Sequence, residues 1–184
     1  MGLFSGLFSG RRGRMKGARP STRPSSSPPP ARGDDGPFVV RAVDRKRVQT
    51  ALDALGYRYF VDSAGEVGGL WDNRLFSFYL IGSGAQMLQV RGRWPRRVAL
   101  ERLGAMLEFT DAWNRERIFP KCYVRVLDDG MVHVTTEVSV PIQHGLNDVQ
   151  LEHHVQLGLM SGMMVFDHLD EMFPDPVALQ PDGA

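Results

Sequence analysis

A chain of 184 residues, 42% hydrophobic and 23% charged, has the composition of a soluble globular protein, one domain with tails. The net charge of +1 hides an uneven split: residues 1–36 carry seven Arg and Lys against Asp34 and Asp35, about +5, which leaves the remainder mildly acidic at about −4. The acidic balance argues against the folded part as a phosphate-backbone binder, the single Cys122 rules out an internal disulfide and suits a reducing cytoplasm, and no apolar run approaches the roughly 20 residues of a membrane span.

Residues 1–36 are rich in Gly, Ser and Pro, and this composition predicts a disordered tail. Leu3, Phe4, Leu7 and Phe8 would share one helical face ahead of Arg11, Arg12, Arg14 and Lys16, enough for a weak contact with an anionic surface but too short for a stable anchor. The domain is expected over residues 37–175, with a flexible tail over 176–184.

Asp44 reads as the N-cap of a first helix that Gly56 stops, with Val43 and Val48 at staple spacing and Val48, Ala51, Leu52 and Leu55 as its buried stripe. Strands are expected at Tyr57–Val61, Val67–Trp71 and Leu75–Ile81, with Asp72-Asn73 as a tight turn between the last two. In the next strand Leu88, Val90 and Trp94 face in, while Gln89, Arg91 and Arg93 face out. A second helix is predicted from about Arg96 to Arg115, with an apolar arc of Ala99, Leu100, Leu103, Met106, Leu107, Thr110 and Trp113. Asn114 falls within that arc, where its amide needs partners; the backbone at the helix end, ahead of Pro120, would supply them.

Phe119–Leu127 and Met131–Val140 form a hairpin around Asp128-Asp129-Gly130. Cys122, Val124 and Val126 are expected to point inward with Val132, Val134, Thr136, Val138 and Val140; Lys121, Tyr123, Arg125, His133, Thr135 and Glu137 make the other, mixed face. The last helix starts after Gly145 with a capping box of Asn147 and Gln150 and ends at Phe173-Pro174. Leu151, Val155, Leu159, Val165, Phe166, Leu169 and Phe173 form its buried face, and Gly158 and Gly162 allow close approach to its neighbour. Leu157, Met160 and Met164 form a second apolar stripe, which one side of a sheet cannot cover together with the first.

The chain shows no catalytic pattern. Cys122 reads as a buried small hydrophobe, His153 and His154 diverge by about 100° on a helix and cannot share a metal, and Asp128, Asp129, Asp167, Asp170 and Glu171 lack acid–base partners. No cofactor, metal or catalytic residue is expected.

Trp113-Asn114-Arg115-Glu116-Arg117, then Phe119-Pro120-Lys121, then Asp129-Gly130, then Gly145 and Asp148 before the last helix resemble the YbjN family of bacterial domains over about residues 38–174. Ile142-Gln143-His144 departs from the small or acidic residue usual before the glycine, and the basic tail lies outside the pattern. The resemblance implies an α+β fold similar to type III secretion chaperones, an antiparallel sheet of five to six strands with three helices in the order α-β(3-4)-α-β-β-α, and usually a homodimer. Family members are described as putative sensory-transduction regulators or chaperone-like proteins. The chain is therefore expected to be a non-catalytic, cytoplasmic protein-binding domain. Trp113, Asn114, Arg115, Phe119, Pro120, Lys121, Gly145 and Asp148 are its hallmark, partner-binding candidates, and Leu157, Met160 and Met164 its interface candidates. The alternative is a regulator that contacts nucleic acid or an anionic surface through its basic N-terminal tail, with nucleic acid held only weakly.

Overall fold

The computed structural model describes residues 36–174, so the basic tail lies outside the described residues. In chain order these run α1 (Arg45–Ala54), β1 (Phe60–Val61), β2 (Val67–Trp71), β3 (Arg74–Ile81), β4 (Met87–Arg93), β5 (Val98–Ala99), a 3₁₀ turn (Leu100–Arg102), α2 (Leu103–Glu116), β6 (Lys121–Val126), β7 (Met131–Pro141) and α3 (Asp148–Met172). The fold is α+β, with three α-helices and a seven-stranded antiparallel sheet.

Strands β1 to β4 form a meander whose last member pairs with the long β7. β7 is the hub: β4 covers residues 135–141 and β5 covers residues 131–132 along one edge, while β6 takes residues 132–137 along the other. Asp72 and Asn73 turn β2 into β3 with φ of 48° and 60°, the left-handed pair that a two-residue hairpin demands. Burial along β7 alternates strictly from Met131 to Val140, as a strand with one buried face requires.

The inward residues of the sheet and of all three helices form one core, in which Phe76, Phe78, Trp94, Phe166, Met106 and Leu52 are among the largest fully buried side chains. Asp44 caps α1 by accepting the Arg47 N–H at 2.8 Å, and both partners of the capping box at α3 are present, at 2.8 and 3.0 Å. α3 lies close on the sheet because Gly158 and Gly162 carry no side chain: a Cβ at Gly158 would collide with Val90, and one at Gly162 would sit 2.6 Å from the Phe76 ring.

Several expectations fail locally. The sheet has seven strands rather than five to six, and the first strand shrinks from Tyr57–Val61 to Phe60–Val61. The second helix begins at Leu103, not Arg96, because Val98 and Ala99 hydrogen-bond to β7 as a strand before one 3₁₀ turn admits the helix. Its buried face is accordingly Met106, Thr110 and Trp113, and Leu107 is 51% exposed on the side away from the core. Gln89 does stand on the outer face, yet it is only 6% exposed, because its amide reaches Ser139 and Glu137 at 3.0 and 3.3 Å. Val126, expected inward, is exposed where the hairpin runs past the core.

Candidate functional site

The junction from Trp113 to Lys121 is a clasp between a helix end and an edge strand. The Asn114 side chain donates from Nδ2 to the Cys122 carbonyl and accepts the Cys122 N–H at Oδ1, both at 2.8 Å. Its amide thus stands where the peptide group of a neighbouring strand would, and seals that point of β6. The amide was expected to bond the helix end; instead Lys121 does so, its Nζ donating to the Asn114 and Arg117 carbonyls at 3.0 Å each. Trp113 is 3% exposed, with the Arg117 guanidinium 4.1 Å from its ring centroid and His168 of α3 edge-on at 5.4 Å. Pro120 is buried after a cis peptide, Phe119 is partly exposed, and Arg115 pairs with Asp111 at 2.6 Å in solvent.

Gly145 and Asp148 form a second closure. Gly145, at φ 79°, lies against the Arg41 carbonyl where no Cβ has room, and Leu146 and Arg41 exchange backbone hydrogen bonds at 3.0 and 3.1 Å. Asp148 receives Arg47 at 2.6 Å and Arg41 at 2.7 Å. The Arg47 hydrogen bond, with Arg41 beside it, holds the Asp148 carboxyl below its ordinary range. Trp113, Asn114, Pro120, Lys121, Gly145 and Asp148 are therefore all engaged within the fold, while Arg115 and Phe119 face solvent.

The second stripe of α3 has a different setting. Leu157 is partly buried against the core, whereas Met160 and Met164 are 63% and 52% exposed. They border an open groove of about 510 Å³ whose opposite wall is Tyr57, Leu70, Trp71 and Asp72. The C-terminal half of α3 is pinned beside it by the buried Arg74, which meets Asp167 at 2.8 Å and Asp170 at 2.7 Å. Asp170 also accepts the Trp94 indole N–H at 2.9 Å. Sequence reasoning missed Arg74 and Trp71 as parts of this region. The available signal was a lone arginine after the β-turn and the acid-rich end of α3, which become neighbours only when hairpin and helix meet.

Burial pushes the Cys122 thiol up to about 12, so its nucleophilic thiolate is suppressed. Burial, with His153 beside it, lowers His154. Among the described residues no three His, Cys, Asp or Glu side chains gather as a metal-binding group, and no helix is long and apolar enough to cross a membrane.

No curated protein matches the chain in sequence. Among solved structures, YbjN of E. coli, described as a putative transcription regulator, superposes with a TM-score of 0.61 at 14% identity over 72% of this chain and 96% of that one. An uncharacterized protein from Methanothermobacter thermautotrophicus gives 0.49 at 11% identity, covering 71% and 99%. The Yersinia pestis type III secretion chaperone SycH, in complex with a stable fragment of YscM2, gives 0.42 at 13%, covering 68% and 98%. The sequence model of YbjN, described as a putative bacterial sensory transduction regulator, matches residues 44–171, from the N-cap of α1 into the last turn of α3, and the chain therefore belongs to the YbjN family.

Proposed function

We propose that this chain is a non-catalytic, chaperone-like or regulatory domain that acts in the cytoplasm by protein–protein contact, as a homodimer, with the exposed side of α3 as its docking face. The observation that carries the reading is the pair Met160 and Met164, left open on a long, firmly seated helix at the edge of a groove. Exposed methionines on a rigid support suit an adaptable contact, since the thioether chain repacks against varied partners at little cost. Family membership and the E. coli YbjN fold support a regulatory, binding role. Self-association has a separate apolar surface in Leu100 and Leu107, both half-exposed.

A photo-crosslinking residue placed at 160 or 164 in growing cells is expected to give a discrete protein adduct, and one at the exposed Lys46 none. An empty lane at 160 and 164 sinks the docking face. Light scattering is expected to give twice 20.6 kDa, with Leu107→Lys moving the chain to a monomer.

A further inference from the structure

The groove beside α3 has two unlike walls. One is rigid: the Trp71 indole is held edge-on by Tyr57 at 5.9 Å, Phe76 at 6.0 Å and Phe78 at 6.2 Å, and lies across Gly69, where a Cβ would collide with it. The other wall is Met160, Met163 and Met164, which can reshape around an incoming side chain. About 510 Å³ accommodates a few side chains of a peptide segment.

The charged residues of the lining are both acidic, Asp72 in the β2–β3 turn and Asp167. Asp167 lies two helical turns beyond Met160, roughly 10 Å along the axis. Its side chain stays 61% exposed although it meets Arg74, which is shared with Asp170; Asp170 in turn lies 3.6 Å from Arg96. From Asp148 to Met172 the helix itself carries no Lys or Arg, so Arg74 and Arg96 are the cations that meet these two acids. With Asp167 and Asp170 matched by Arg74 and Arg96, Asp72 is the acid of the lining left without an ion pair among the described residues, and it keeps a negative charge beside the apolar slot.

We infer that the groove takes an amphipathic segment of a partner protein, with apolar side chains entering between Trp71 and the methionines and a Lys or Arg beyond them facing Asp72 and Asp167. The inference rests on α3 being the docking face and adds the chemistry of its occupant. A second copy of α3 is a poor occupant, because its exposed side would bring Asp167 and Glu171 against acids. A small apolar ligand would offer Asp72 no counterpart.

The test uses the full chain and three short fluorescent helical peptides that share Leu and Phe on one face and end in Arg, Gln or Glu. By anisotropy at low salt, the Arg peptide is expected to bind about ten-fold more tightly than the Glu peptide, with the gap closing at high salt. Asp72→Asn and Asp167→Asn together should bring the ratio close to one. Asn tolerates the φ of 48° at position 72, and Asp170 still holds Arg74, so a melting curve should show both variants folded. Equal affinities for the three peptides, all weakened by Met160→Lys, overturn the basic occupant and leave the docking face standing. No binding by any peptide, with wild type and Met160→Lys alike, removes both. A dimer that Met160→Lys converts to a monomer assigns the groove to a second copy and overturns the inference.

Discussion

Asn114 shows how much one side chain holds in this protein. It supplies two hydrogen bonds to a Cys122 main chain that is otherwise cut off from water, and Asn114→Ala would remove both while leaving a buried N–H and C=O without partners. At about 1 kcal/mol for each bond, with a further penalty for unpaired groups, the loss should be about 2–4 kcal/mol by urea unfolding. Asn114→Asp keeps the acceptor but sets a second oxygen against the Cys122 carbonyl, so it should cost at least as much as Asn114→Ala. Asp148 supplies the pH dependence at this scale. Its folded pKa is lowered by Arg47 and Arg41, so the unfolded chain takes up the proton first. Its stabilisation is complete above the unfolded value of about 4 and is lost as pH falls through the lower folded value. Acid unfolding followed by tryptophan fluorescence should therefore show a steeper loss below about pH 4 in wild type than in Asp148→Asn.

At the scale of elements, α3 sets two preferences against each other. Helix propensity favours alanine over glycine by about 1 kcal/mol, so on that ground Gly158→Ala stabilises. Contact with Val90 opposes it: the new Cβ falls inside the Val90 side chain, and overpacking of this kind costs about 1–3 kcal/mol. Packing should win, with a lower denaturation midpoint for Gly158→Ala, and a higher midpoint would show that α3 is free to lift from β4. The need for close approach at Gly158 and Gly162 was legible from their spacing on the apolar face. The start of α2 was not: Ala99 continues the apolar arc of the helix, and only the free edge of β7 beyond β4 claims Val98 and Ala99 as a strand.

For the whole molecule, stability and the proposed docking should separate. Met160 and Met164 touch little of the core, so Met160→Lys and Met164→Lys should shift unfolding by no more than about 0.5 kcal/mol while abolishing crosslinks from the groove. A large loss of stability would mean that these side chains serve the fold. The hallmark residues divide the same way. Trp113, Asn114 and Lys121 were readable as a signature but not as a clasp, because the bond from Asn114 to Cys122 spans a turn whose path no local rule supplies.

The sequence alone carried the helix caps, the Asp72-Asn73 turn, the alternation of β7, the three-helix α+β order and the position of Met160 and Met164 away from the buried face of α3. Each of these is set by contacts between residues close in the chain or by a period that one element must satisfy by itself. Tertiary structure decided what lies across from what: Arg74 under Asp167 and Asp170, Trp71 facing the methionines, Asn114 on Cys122. Those pairings join distant segments whose mutual placement follows from how the sheet and helices share one core. The periodicity of a single segment holds no record of which neighbour will arrive.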